Sequence, residues 1–371
     1  MKQQRKSQRV CLLLREWEKT GQPLDRFLSA YFRAHRFIGA SHRRFIAETA
    51  FQMVRLWGAL DYDVPSPSWE TRFDRLQNYP FPSLKKAPKP VQVSFPAWYY
   101  EILEKNYGDQ TEEICALCNQ QAPLTIRVNT RIISRDALYE KWRGQHLITK
   151  TAFSPLGITW SKRYPVFSME EFQQGFFEVQ DEGSQLISLF LGAQPGEKIL
   201  DYCSGSGGKT LAFAPFMEGT GQIYLHDIRI GALVQAKKRL KRAKIQNAQI
   251  TPPERKAKNR LVGKMDRILL DVPCSGSGTL RRNPETKWRL QKKDLENLIT
   301  TQKTIFEESL PFAKKGGILV YSTCSLLQEE NQEQIAYFCK KHPVKLLQQK
   351  QLPLKKGGHD GFFMAAFEVF C

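Results

Sequence analysis

The C-terminal half of the sequence predicts an α/β fold built on a doubly wound, mainly parallel sheet. Three observations carry this. From about Leu186 onward, short apolar runs of strand length alternate with longer helical stretches, the pattern of strands joined by crossover helices. The first of those strands enters a glycine-rich turn that opens a helix, and a last apolar run closes the chain as a strand. In a sheet of this kind a ligand sits beyond the carboxyl ends of the strands.

Residues 1–64 read as a helical module. Leu24, Phe27, Leu28, Tyr31 and Phe32 share one helix face, and Ile46, Ala50, Met53, Val54 and Trp57 share another. Arg33, His35, Arg36, His42, Arg43 and Arg44 lie between and beside these stripes. That basic face is either a contact for an anionic polymer or an ordinary solvated surface. Residues 65–96, with Pro65, Pro67, Pro80, Pro82, Pro88, Pro90 and Pro96, have little periodicity and read as a linker. Residues 97–185 read as a small α+β subdomain, with strands near Thr125–Asn129 and Phe176–Gln180. Residues 186–371 hold the sheet. Its expected strands are Lys198–Tyr202, Gln222–His226, Arg267–Asp271, Gly317–Tyr321 and Phe362–Phe370. Its expected helices are Arg229–Ile245, Gln291–Ala313 and Gln328–Lys341.

Composition narrows the class. The chain has 371 residues, 41% of them hydrophobic, enough for two or three cored domains. Its 56 Lys and Arg against 37 Asp and Glu give a net charge of +19, which points to nucleic acid as partner. No apolar run is long enough to span a membrane, and Val10–Leu14 is too short for a signal-peptide core. The cytoplasm is the expected location, and a monomer the default. The eight Cys have no disulfide-framework spacing and read as free thiols. Cys115-x-x-Cys118 lacks a second ligand pair and reads as buried helix cysteines, so no metal is expected.

The chemistry concentrates at strand ends. Cys203, Ser204, Gly205, Ser206, Gly207, Gly208 and Lys209 form the glycine-rich loop. It is not a phosphate-binding P-loop, because Cys203 stands where that pattern needs glycine. Asp227, about twenty residues on, ends the next strand and suits ribose hydroxyls. Asp271-Val272-Pro273-Cys274 and Ser322-Thr323-Cys324-Ser325 end two further strands. Two cysteines there, beside an acid, suit addition to a pyrimidine. A thiolate that adds to C6 of cytosine makes C5 nucleophilic toward a sulfonium methyl donor. An acid at N3 assists that addition, and a second thiol near C5 assists release.

With these residues the chain resembles the RNA (cytosine-5)-methyltransferase family, the bacterial Sun/Fmu type that modifies ribosomal RNA. The matching segments include Val179 to Gln185, Gly207-Gly208-Lys209-Thr210, Asp271 to Cys274, Arg281 to Glu285, Lys287-Trp288, Thr323-Cys324-Ser325, Pro123 to Thr130 and Asp360 to Phe363. The resemblance implies a Rossmann-like S-adenosylmethionine-dependent methyltransferase domain with a C-terminal antiparallel strand, forming 5-methylcytosine in RNA. It implies Cys324 as nucleophile, Cys274 as the release cysteine, and Asp271 against the base and the cofactor amine. Cys203 to Lys209 and Asp227 would hold S-adenosylmethionine. Ribosomal RNA is the favoured substrate and transfer RNA the alternative. The N-terminal helices resemble an antitermination-factor-like RNA-binding domain. Ile250 to Lys256, where the family carries an acid facing the adenine, shows no match. Two rival readings differ in residues. A DNA cytosine-5 methyltransferase would use Cys274 as nucleophile and leave Cys324 without a task. An idle RNA-binding assembly factor would need neither thiol.

Overall fold

The computed structural model describes residues 2–252, 254 and 259–370. Two compact units share the chain. One is Met1–Gln121 with Thr279–Asp294, the other Ala122–Gly278 with Leu295–Cys371.

The first unit is helical. The two expected stripes lie on helices Leu24–Ala34 and Ala40–Arg55, except that Trp57 falls beyond the second and begins the short helix Trp57–Asp61. A further helix, Lys2–Glu18, precedes them and buries Val10, Leu13, Leu14 and Trp17. The Pro-rich stretch contains a helix too, Trp69–Gln77, started by Ser68, whose hydroxyl accepts the Thr71 N–H at 3.1 Å. Trp69 and Phe73 reach the same apolar core. Prolines begin the short turns Pro82–Lys86 and Lys89–Gln92 rather than breaking them. Helices Ala97–Tyr107 and Thr111–Cys118 follow, and Cys115 and Cys118 are buried on the second.

The inserted segment Thr279–Asp294 locks into this unit through named bonds. The Trp288 indole donates to Val54 O at 2.7 Å, and Glu285 accepts the Leu24 N–H at 3.0 Å. Lys287, almost wholly buried, donates to Arg55 O at 2.9 Å and to Asn119 Oδ1 at 2.6 Å.

The second unit carries two sheets. A small antiparallel sheet orders β1 (Leu124–Val128), β2 (Ile148–Lys150), β3 (Gly157–Trp160) and β4 (Phe177–Val179) as β2-β3-β1-β4. The large sheet comprises β5 (Lys198–Asp201), β6 (Gln222–Leu225), β7 (Ala248–Ile250), β8 (Met265–Asp271), β9 (Ala313–Thr323), β10 (Val344–Leu352) and β11 (Phe362–Val369). Its order is β10-β11-β9-β8-β5-β6-β7. β5 to β9 pair parallel throughout, while β11 runs antiparallel to both β9 and β10. This is the expected doubly wound, Rossmann-like sheet with its C-terminal antiparallel strand.

Both faces of the sheet are covered, which is why its central strands are apolar throughout. Ile187, Leu191, Phe213 and Leu233 pack on one side, and Phe306, Phe312, Phe338 and Phe367 on the other. From β5 the chain winds outward to β6 and β7, then returns to build β8 and β9 on the opposite side. The order therefore reverses between β5 and β8. Asp201 and Asp271 are the last residues of those two strands, so the crevice favoured for ligands opens between them.

Candidate active site

The site grows from four strand ends. After β5 the loop from Cys203 to Lys209 turns sharply, and Gly207 has φ of +77°, which a residue with a side chain adopts only at a cost. The loop is fastened from below. The N–H groups of Ser204, Gly205 and Gly207 donate to His226 O, Asp227 Oδ2 and Ser204 O at 2.8–2.9 Å. The Gly208 carbonyl accepts from Arg127 and Gln180, both at 3.2 Å. Arg239 donates to the carbonyl and hydroxyl of Ser206 at 2.8 Å, while its other nitrogen reaches Glu178 at 3.1 Å. The small sheet, through Arg127 on β1 and Glu178 on β4, thus sets the position of the glycine loop.

Asp201 ends β5 fully buried. One carboxylate oxygen accepts the Thr210 hydroxyl at 2.6 Å, and the other is a buried acceptor without a partner. Burial raises its carboxyl to about 7. Asp227 follows β6, and its four acceptor positions are all taken. Gly205 N–H and three groups of Arg229 donate to it at 2.8–3.1 Å. Burial pushes the Asp227 carboxyl up, but these bonds outweigh it and hold the group below the ordinary aspartate range. The Arg229 side chain is 67% exposed, so it is the more easily displaced partner.

After β8 and β9 the two thiols meet. Cys274 Sγ and Cys324 Sγ lie 3.3 Å apart. The Cys274 thiol is held well above its ordinary value, first by its bond to Cys324 and then by burial. It is therefore a protonated thiol at neutral pH. Three residues before it, Asp271 pairs closely with Lys209 through one oxygen and accepts the Ser322 hydroxyl at 3.3 Å through the other. Lys209 therefore faces the β8 carboxylate. The loops carrying the thiols are braced by backbone. Gly278 N–H donates to Cys324 O, and Gly361 N–H to Gly278 O, both at 2.9 Å. A Cβ on Gly278 would stand 2.1 Å from Gly361 O, so only glycine fits this crossing.

The structure thus joins Cys274 with Cys324 and Lys209 with Asp271. Asp227 is bound up with Gly205 and Arg229. Cys203 is mostly buried, and its thiol is raised by burial. Sequence reasoning assigned no role to Asp201, Arg229 and the polar residues around the thiols, Ser275, Gln302, Ser325 and Glu330. Only the two serines carry a signal, since each directly follows a cysteine. Of the unmatched stretch 250–256, Thr251 is buried, while Pro253, Arg255 and Lys256 lie outside the described residues. A groove of about 880 Å³ beside β7, lined by Ile230, Leu233, Val234 and Ile250 among others, includes none of the thiols and carboxylates above. Among the described residues no helix is long and apolar enough to cross a membrane, and no group of three or more His, Cys, Asp or Glu could hold a metal ion.

Comparison with known proteins follows the same lines. Residues 188–368 match the family model described as 16S rRNA methyltransferase RsmB/F, and residues 95–167 match an RsmF/B-like ferredoxin-like domain. The chain is 37% identical over 259 residues to the probable ribosomal RNA small subunit methyltransferase B of a Synechocystis species, covering 68% of this chain. It is 32% identical over 294 residues to ribosomal RNA small subunit methyltransferase B of Pseudomonas syringae pv. tomato, covering 74% of this chain.

The chain belongs to the RsmB/F family.

It spans 57% and 66% of the length of these two relatives. A methyltransferase homolog protein from Pyrococcus horikoshii shares the fold with a TM-score of 0.68 at 25% identity, covering 78% of this chain and 100% of that one. NSun6 from Pyrococcus horikoshii does so with a TM-score of 0.68 at 19% identity, covering 75% and 99%. The RsmB/F match contains the glycine loop, Asp227, Asp271, Cys274 and Cys324, while residues 1–94 lie outside both matched segments.

Proposed function

We propose that this RsmB/F chain is an S-adenosylmethionine-dependent RNA methyltransferase that forms 5-methylcytosine, with ribosomal RNA as substrate, working in the cytoplasm. The observation that carries the reading is the pair of thiols 3.3 Å apart at adjacent strand ends, next to the Lys209–Asp271 pair. A DNA-type enzyme uses one such thiol and an idle factor none, so neither accounts for the second sulfur.

The crevice fits the methyl donor. Asp201 offers a buried acceptor without a partner, nothing lies within 4 Å of where a Cβ on Gly208 would stand, and Asp227 carries a displaceable arginine. We assign Cys203 to Lys209 and Asp227 to holding S-adenosylmethionine, which supplies an electrophilic methyl group when bound. Cys324 adds to C6 of the cytosine, making C5 electron-rich. Asp271, oriented by Lys209 and Ser322, faces the base and stabilises the charge that addition creates. After methyl transfer C5 still carries its hydrogen. That proton must leave and the Cys324–C6 bond must break. Water can take that C5 proton, and Cys274, beside Cys324 and carrying its own proton, stands where it can protonate the departing Cys324 thiolate. The basic N-terminal helices of residues 1–64 would add RNA contacts.

Replacing each thiol tests the assignment. Cys324→Ser should abolish methylation and form no covalent complex with RNA, because a hydroxyl is a far weaker nucleophile at neutral pH. Cys274→Ser should still add to the base but release it slowly. A protein–RNA adduct should then accumulate and survive denaturing electrophoresis, and the double variant should lose it. An adduct kept by Cys324→Ser and lost by Cys274→Ser would reverse the roles of the two cysteines.

A further inference from the structure

Glu330 is wholly buried, on a short turn six residues past Cys324. Its carboxylate touches neither thiol, yet it binds the neighbour of each. Oε1 accepts the Ser275 N–H at 2.8 Å, and Oε2 accepts the hydroxyls of Ser275 and Ser325, both at 2.5 Å. Ser275 follows Cys274 and Ser325 follows Cys324. A fourth bond comes from Gln302, whose amide donates to Glu330 Oε1 at 2.9 Å and to Pro273 O, just before Cys274, at 3.0 Å. The next residue continues the pattern, since Asn331 accepts from the Thr323 hydroxyl at 2.6 Å and donates to Ser325 O at 2.9 Å.

Burying a carboxylate is costly, and an apolar replacement often serves stability as well or better. What this one gains is geometry. Bonds to a charged acceptor are short and directional, and one carboxylate here spans two loops that arrive from β8 and β9. We infer that Glu330 is a positioning residue: by gripping Ser275 and Ser325 together it sets the separation of the Cys274 and Cys324 sulfurs. The inference rests on the reading of both thiols as working groups. Its test uses neither RNA nor cofactor, so the two can fail separately.

The readout is the rate at which the two thiols close into a disulfide under diamide. In that step both thiols lose their protons, one S–S bond forms, and the two electrons and two protons pass to the N=N bond of the reagent, giving a hydrazine. The sulfurs need to approach from 3.3 Å to about 2.05 Å. Wild type should close quickly, followed by mass spectrometry of the Cys274–Cys324 peptides. Glu330→Ala should slow closure by about tenfold or more, since misplacement on the ångström scale carries penalties of that order. Glu330→Gln should stay within about threefold of wild type, because its amide oxygen can accept and its NH2 can donate to hydroxyls that turn to receive it. A merely structural role would not distinguish these two in folded protein. If Glu330→Ala fails to fold, the Ser275→Ala/Ser325→Ala pair decides, with the same slowing expected. Closure at the wild-type rate in a folded Glu330→Ala protein, or in the serine pair, overturns the inference.

Discussion

At the end of β5 the Asp201 carboxyl is raised to about 7, chiefly by burial and further by the charges of Asp271 and Asp227, against the Thr210 bond and the Lys209 charge. Free aspartate titrates near 4. Between those values the folded protein keeps a proton that the unfolded chain has released. Stability therefore falls as pH climbs from about 4 to about 7, by at most ~4 kcal/mol, and then levels off. Asp201→Asn should flatten that slope, because the amide carries no titrating proton and its oxygen can still accept from Thr210. Denaturant unfolding at pH 5 and pH 8 measures it, and equal losses in both proteins would show that Asp201 titrates as an ordinary surface acid. The same residue shows what sequence could reveal. The two cysteines announce themselves because each closely follows a legible strand. Asp201 also ends one, but nothing local tells a reader that one of its oxygens is left without a partner. Glu330 is harder still, because its meaning lies in bonds to residues up to 55 positions away.

Among the elements, the insert Thr279–Asp294 has the clearest energetic weight. Burial lowers the Lys287 ammonium to about 7, and the side chain lies 4.3 Å from the centre of the Phe95 ring while binding Arg55 O and Asn119 Oδ1. Lys287→Ala should remove both bonds and open a void, costing about 2–4 kcal/mol. Thermal unfolding would check this, and a change below half a kcal/mol would mean the slot is looser than drawn. The central strands of the large sheet were readable because double burial makes them plain apolar runs, as at Ile199–Leu200 and Ile268–Leu270, whereas the half-exposed edge strand β7 was missed. β10 was not readable. Val344–Leu352 is an edge strand paired on one side, and its Lys and Gln residues face water. Likewise Lys2–Glu18 hides its core stripe among charged residues, so Val10 to Leu14 looked like an isolated apolar patch.

For the molecule as a whole, the net charge of +19 predicted an anionic partner, but the structure divides those charges by task. Arg239 and Arg242 are committed to Glu178, and Arg242 also lies 3.9 Å from the centre of the Phe172 ring. Lys237, Lys238 and Lys241, on the same helix, are exposed, as are Arg36 and Arg44. RNA affinity should fall steeply with salt. Changing Lys237, Lys238 and Lys241 to Gln should lower the log–log slope by about 2–3 at unchanged melting temperature. Arg239→Gln should instead lower the melting temperature, because it loosens the Ser206 turn. An unchanged slope in the triple variant would remove this helix from the RNA surface.

The N-terminal unit is completed by residues that the ribosome makes late. Its helices emerge before that insert, yet the slot that takes Lys287 and Trp288 stays open until Asp294 has been synthesised. At typical translation speeds of ~5–20 residues per second that is a wait of roughly 10–30 s. During it Trp57 lacks its contact with Trp288, and the Val54 carbonyl lacks the indole N–H it accepts, a surface suited to chaperone capture. The nascent protein thus closes this helical unit only after the Pro-Cys loop exists, so a fully assembled unit implies that the chain has been read past Cys274.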